Sequence, residues 1–216
     1  MRKLIRFYLL LFLVSCASLN NGNIAPGYFQ AYEAIKTVFF GYENELDPEV
    51  ISNIPYASMV VKIGNGPSAL MILESINGKE STWISADGVY LVLNEGKIVK
   101  TKGLPNDVNR QISSFKNWED AINHGKDYVS YFSFLKPELN NLQIASSFSL
   151  KGKRDIQLTF DRKELFYVSE KISSEEISWY EENSYWIDSK DFVWKSIQHI
   201  SPRLPPIYIE VTKKPR

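Results

Sequence analysis

The feature that most restricts how this chain can fold is a series of short alternating segments joined by turns too brief for a crossover. Ala57, Met59, Val61 and Ile63 alternate with Ser58, Val60 and Lys62, the period of a half-buried strand. Gly64-Asn65-Gly66-Pro67 separates that run from residues 68–76. Residues 82–86 and 89–93 flank Asp87-Gly88, and 97–101 follow Glu95-Gly96, both turn signals. The same grammar resumes after Tyr128. There, residues 144–150 and 156–160 read as two strands either side of a turn at Lys151-Gly152-Lys153, and Asp161-Arg162-Lys163 reads as the next turn. Strands this close in sequence must run antiparallel, because a parallel pair needs a connection of a dozen or more residues. Ten or eleven such strands imply a mainly β fold, a large antiparallel sheet curled on itself and half-barrel-like.

Helices are few. Phe29, Tyr32, Ile35, Val38 and Phe39 recur at spacings of three and four, which predicts an amphipathic N-terminal helix over residues 28–46. Asp47-Pro48-Glu49 reads as an N-cap with proline in the first turn. A polar helical stretch is expected over residues 106–115, and a loop or one more helical turn over 118–125.

The start of the chain makes a different statement. Residues 1–15, MRKLIRFYLLLFLVS, join a positive beginning (Arg2, Lys3, Arg6) to an apolar stretch well short of the roughly 20 residues needed to span a bilayer. That is the layout of an export signal. Leu13-Val14-Ser15-Cys16 follows it and looks like a bacterial lipobox. The thiol of Cys16 is where such processing attaches lipid, and stable anchoring takes more than one acyl chain, which a lipoprotein cysteine carries. Cys16 is therefore the expected lipidation site, with a membrane as its partner. Ala17 and Ser18 supply no Asp at the second position, the retention signal of the inner membrane in enterobacteria-like sorting. The outer membrane is thus expected, with the domain facing the periplasm. Residues 16–27 read as a lipidated tether and 28–216 as a single domain.

Removal of the leader would leave 22 basic against 25 acidic residues. No clustered Lys and Arg mark a nucleic-acid surface. Cys16 is the only cysteine, so the domain holds together by packing alone. The two histidines, His124 and His199, stand apart from any G-x-S-x-G motif. No metal-binding spacing occurs. Acidic clusters at Glu43/Glu45/Asp47, Glu175/Glu176 and Glu181/Glu182 read as solvated loop faces. Neither a metal, a cofactor nor an enzymatic activity is expected.

Aromatic residues are abundant, with 5 Trp, 12 Tyr and 12 Phe. Trp83, Trp186 and Trp194 fall on strands. Each is a candidate for contact with polysaccharide or a partner protein, and each also suits the core of a curled sheet.

Three phrases, in order, carry a family resemblance: IPYASMVVKIG (54–64), TWISADGVYLVLNEGKIVKTKGL (82–104) and NSYWIDSKDFVWKSIQHISPRLPPIYIEVTKKP (183–215). Together they resemble the GfcB/YjbF-type group 4 capsule polysaccharide lipoproteins. The agreement lies at Trp83, Asp87-Gly88, Gly96, Thr101, Gly103-Leu104, Tyr185-Trp186, Trp194, Ser196 and Gln198. Lys97 and Lys100 stand where that family carries arginines, and a lysine lacks the planar fork for bidentate contacts. The resemblance implies an outer-membrane lipoprotein, a non-enzymatic accessory factor in capsule or exopolysaccharide secretion, with export proteins or polysaccharide as partners. It transfers no catalytic residue. An alternative physical reading of the same residues is a carrier that holds a lipid or acyl chain inside the curled sheet, as lipoprotein-localisation factors do.

Overall fold

A computed structural model describes residues 46–112, 115–124 and 127–215. Cys16, the tether and the helix expected over residues 28–46 lie outside them, as do Glu43, Glu45 and the side chain of His124. Asp47 caps the first described helix, α1 (Pro48–Ser52). Its carboxylate accepts the backbone N–H of Glu49 at 2.8 Å, and Pro48 occupies the first turn.

Twelve strands follow: β1 (Ser58–Ile63), β2 (Ser68–Asn77), β3 (Glu80–Ser85), β4 (Tyr90–Asn94), β5 (Lys97–Lys102), β6 (Val108–Ile112), β7 (Tyr128–Leu135), β8 (Glu138–Gln157), β9 (Arg162–Ser174), β10 (Trp179–Ile187), β11 (Val193–Gln198) and β12 (Ile207–Lys213). Each pairs antiparallel with its sequence neighbour, and β1 pairs with β12, so the expected half-barrel closes completely into a barrel. Turns after odd-numbered strands line one rim, called the upper. Turns after even-numbered strands share the lower rim with the chain's entry and exit.

Two sequence expectations change. The helix expected over residues 106–115 gives way, in its described part, to a strand: Val108–Ile112 forms β6, pairing with Ser130–Phe134 of β7. Val108 and Ile112 are four apart and suit either period, so the neighbouring strand's open edge decides. Lys151-Gly152-Lys153 is no reversal either. The two runs around it are one 20-residue strand, β8, with a register shift between Leu150 and Lys153 against β9. Gly152 there has φ +100°, a conformation that suits glycine and makes the strand bend. The reversal comes later, at residues 158–161. Residues 118–125, left between loop and helical turn, contain α2 (Trp118–His124).

Alternation fills the interior. Along β7, Tyr128, Ser130, Phe132 and Phe134 are buried while the residues between them are not. Eight strands already make a barrel wide enough for side chains to fill, so twelve need bulky contents. One apolar cluster includes Met59, Met71, Trp83, Phe132, Phe134 and Trp179. A second, around Trp118, Tyr128, Phe148 and Tyr185, includes the first residue of α2. A seven-residue helix is far below the length that is stable alone. It is held by Trp118, which is 0% exposed, packs edge-on against Phe115 and Phe148 and donates its indole N–H to the Glu95 carbonyl at 2.9 Å.

Candidate functional site

The strand register lays one row of side chains across the outer wall: Tyr167 on β9 opposite Trp186 on β10, then Lys195 on β11, then Glu210 on β12. Tyr167 and Trp186 stack with ring centres 5.2 Å apart and planes 22° from parallel, an offset geometry favoured by ring quadrupoles. Lys195 and Glu210 form an ion pair at 3.3 Å.

The β8–β9 hairpin, bent at Gly152, folds back over this row. Arg154 places its guanidinium 4.1 Å from the Tyr167 ring centre, a stacked cation–π contact. Thr159, in the hairpin tip, donates its backbone N–H and its hydroxyl to the same Glu210 oxygen, each at 2.6 Å. Lys163 sits 4.3 Å over the ring of Trp194. Leu158 and Leu165 are buried. Beneath this arm the Trp186 indole Nε1 is buried and finds no acceptor among the described residues.

Of the sequence candidates, Trp186 and Trp194 are therefore on the outer wall, both half-buried. Trp194 donates its indole N–H to Asp188 at 3.0 Å and packs edge-on against Phe192. Asp188 also accepts the backbone N–H groups of Lys190 and Phe192, so it fixes the β10–β11 turn and Trp194 together. Burial alone would raise the Asp188 carboxyl pKa. The hydrogen bonds from Trp194, Phe192 and Lys190, with the nearby Lys214 ammonium, outweigh that and bring it below its ordinary value. Trp83 is different. It is 2% exposed inside the barrel, its indole N–H bonded to Ser81 at 2.9 Å, so it belongs to the core and not to a contact surface.

Sequence reasoning missed the most polar feature of the interior. Lys97 and Glu170 pair at 2.6 Å with both side chains fully buried. Glu170 also accepts hydrogen bonds from the Tyr185 hydroxyl at 2.7 Å and the Asn183 amide at 3.0 Å. The Lys97 ammonium lies 4.6 to 5.7 Å from the ring centres of Phe148, Tyr185, Phe115 and Trp118. Nearby, Gln198 accepts the Ile98 N–H and donates to the Gly96 carbonyl, both at 2.8 Å, locking β5 to β11 across the barrel. The advance signals were Lys97 itself, standing in place of a family arginine, and the matched residues Gly96, Tyr185 and Gln198. Each turns out to contact this region.

His199 meets Asn183 Oδ1 through Nδ1 at 3.3 Å and Glu181 through Nε2 at 3.5 Å, not a nucleophile. Among the described residues no group of three or more His, Cys, Asp or Glu side chains is arranged to hold a metal. No described helix is long and apolar enough to cross a membrane. Of the acidic clusters, Glu175 accepts the Tyr180 hydroxyl and Glu182 accepts the Ser169 hydroxyl.

Among the described residues, three depressions stand out. One of about 450 Å³ at the upper rim is lined by Phe134, Pro137, Leu139, Ile177 and Arg203. Another of about 210 Å³, apolar, lies among Val61, Met71, Val89, Leu91 and Leu104. A shallow one of about 610 Å³ runs past Ala145, Ser147, Lys171, Ser173 and Tyr180.

The family model described as group 4 capsule polysaccharide lipoprotein GfcB, YjbF matches residues 32–212. The chain belongs to this family. Two Escherichia coli (strain K12) lipoproteins, both described as uncharacterized, are similar along most of their length. YjbF is 24% identical over 173 residues, 78% of this chain and 81% of that protein. GfcB is 25% identical over 196 residues, 88% and 87% of the two chains. The crystal structure of the hypothetical lipoprotein YmcC from E. coli superimposes with a TM-score of 0.66 at 20% identity, covering 91% of this chain and all of that one. That last likeness speaks for the fold. The capsule lipoprotein family thus includes a chain with Lys97 in the barrel interior, paired with Glu170 and ringed by aromatic residues.

Proposed function

We propose that this protein is a lipid-anchored, non-enzymatic accessory factor in capsule or exopolysaccharide secretion, held at the outer membrane with its domain in the periplasm. Residues 1–15 are the leader, Cys16 carries the lipid, 16–27 form the tether and 28–216 the domain. The partners are export proteins, the polysaccharide, or both, met on the outer wall around Trp186 and Trp194.

The observation that carries this reading is a packed interior beneath an outer wall rich in aromatic and charged side chains. Trp83, Trp118, Phe132, Met59 and Met71 fill the barrel. The apolar cleft of about 210 Å³ falls below the roughly 300–1,000 Å³ of ordinary ligand pockets, and the rim depression of about 450 Å³ is lined mostly by exposed residues such as Leu139 and Ile177. That supports a binding and assembly module over an acyl-chain carrier. The family description, which names a capsule polysaccharide lipoprotein, supports the pathway.

The test is Cys16→Ser expressed in place of the wild-type chain. The variant is expected to fold, to leave the membrane fraction, and to lower the polysaccharide exported to the cell surface. A variant that still fractionates with membranes, or that supports normal export from the soluble fraction, would sink the proposal.

A further inference from the structure

The β8–β9 arm leaves a charge surplus over the aromatic row. Between residues 151 and 165 the sequence holds five cations, Lys151, Lys153, Arg154, Arg162 and Lys163, and three carboxylates, Asp155, Asp161 and Glu164. Lys153 pairs with Glu164 at 2.9 Å and Lys163 with Asp161 at 2.5 Å. That leaves Lys151, Arg154 and Arg162 against Asp155 alone, none of them ion-paired with a described residue. Arg154 is exposed, with its guanidinium carbon 4.1 Å from the Tyr167 ring centre. A planar guanidinium held beside an aromatic face suits a carboxylate carried on a flat-faced ring.

The row below the arm has the complementary parts. Tyr167 and Trp186 provide a stacked pair with the apolar faces on which sugar rings settle. The Trp186 Nε1–H is a buried donor with no described acceptor, an arrangement that native structures rarely keep without a use. What covers it is lightly attached. The arm is held to the wall by Thr159 on Glu210 and Lys163 on Trp194, together with buried Leu158. Most of the arm beyond Leu150 pairs only with itself: Arg154 to Gln157 face Leu165 to Arg162 and no third strand, and pairing with β10 begins at Phe166, opposite Ile187. Its bend is at Gly152, where a φ of +100° and open space around the Cα allow the backbone to move.

We propose that the Tyr167–Trp186 row, with Arg154 beside it, is a binding site for an anionic saccharide chain, and that the β8–β9 arm lifts to admit it. Trp186 stacks on a sugar ring and donates from Nε1 to a ring or hydroxyl oxygen, while Arg154, across Tyr167 from it, takes the carboxylate. This rests on the outer-wall reading of the function and names the ligand class for that wall.

The probes are polygalacturonate oligosaccharides, with uncharged dextran oligosaccharides beside them, titrated into the detergent-solubilised full-length chain. Thr159→Ala loosens the tip and is expected to raise polygalacturonate affinity several-fold and to increase acrylamide quenching of tryptophan fluorescence. Lys163→Ala loosens the arm while removing a positive charge, so a rise in affinity there cannot come from charge. Arg154→Ala should lower polygalacturonate affinity about tenfold or more, the scale of one charge-assisted hydrogen bond, without changing dextran binding. Trp186→Leu, which keeps bulk and removes the indole, should lower both. The gate is overturned if both loosened variants bind polygalacturonate no better than wild type. The anionic preference is overturned if dextran binds equally well. Absence of binding to either probe, with surface polysaccharide still lost in Cys16→Ser, discards the saccharide site and leaves the accessory role standing. Binding that behaves as described, with export unaffected in Cys16→Ser, does the reverse.

Discussion

Lys97 Nζ lies 2.6 Å from Glu170 Oε1, and neither side chain has any exposure to solvent. A buried pair adds little over a well-packed apolar replacement, but removing one partner strands the other charge. Lys97→Ala or Glu170→Ala should each cost about 3–5 kcal/mol, read as a shift in urea midpoint. The double variant Lys97→Met/Glu170→Leu should lose clearly less than the sum. If the two single losses simply add, the pair is not the unit that matters.

Trp118 joins α2 to the barrel through four neighbours: Phe115, Phe148, Tyr185 and the Glu95 carbonyl. Trp118→Ala should destabilise the domain by about 3–5 kcal/mol, the range for a large buried aromatic. Amide hydrogens of residues 118–124 should exchange faster in the variant, since so short a helix would keep little beyond the Tyr128–Asp120 hydrogen bond and the buried Ala121.

Gly96 and Gly152 both have positive φ, +85° and +100°, but different surroundings. A Cβ on Gly96 would lie 2.4 Å from Val193 Cγ2, whereas one on Gly152 would meet nothing within 4 Å. Gly152→Ala should cost about 1–2 kcal/mol, the backbone penalty alone. Gly96→Ala should cost distinctly more, because β11 must shift as well. Equal melting temperatures for the two variants would contradict this.

Asp188 and Asp191 should respond to pH with opposite sign. The Asp188 carboxyl is held below its ordinary value despite its burial. Its contribution is complete above the unfolded pKa of about 3.9 and is lost as pH falls through the lower folded value. The stability gap between wild type and Asp188→Asn should therefore be present at pH 7 and shrink in more acidic solution. Asp191 is raised by burial and by the Glu119, Glu95 and Asp188 carboxylates, so its charged form costs stability at neutral pH. It also sits at φ +61°, which asparagine tolerates well. Asp191→Asn should raise the thermal midpoint at pH 7, and a fall would refute the electrostatic argument.

The hairpins were readable because period-two alternation and short turns act locally; Asp87-Gly88 and Glu95-Gly96 are turns in the fold as in the sequence. Barrel closure was less legible, since the β1–β12 pairing joins residues about 150 positions apart and no local signal announces it. β6 was read as helix because Val108 and Ile112 satisfy both periods. Lys97 stood out in the sequence as a lysine in the place of a family arginine, with nothing to mark it as buried. Its burial depends on Glu170, Tyr185 and Phe148 arriving from three other strands. The outer-wall row was half visible: parity along β10 separates Trp186 from Tyr185, but nothing in sequence foretells that a neighbouring hairpin bends back over it.

Closure of β1 onto β12 also limits the ways in which another protein can recognise this one. A sheet with a free margin invites a visiting strand to extend it through main-chain hydrogen bonds, and a ring has no such margin. Around the ring a partner is therefore left with side chains to read, on the wall or at the rims, and open strand edges remain on the two-stranded β8–β9 arm.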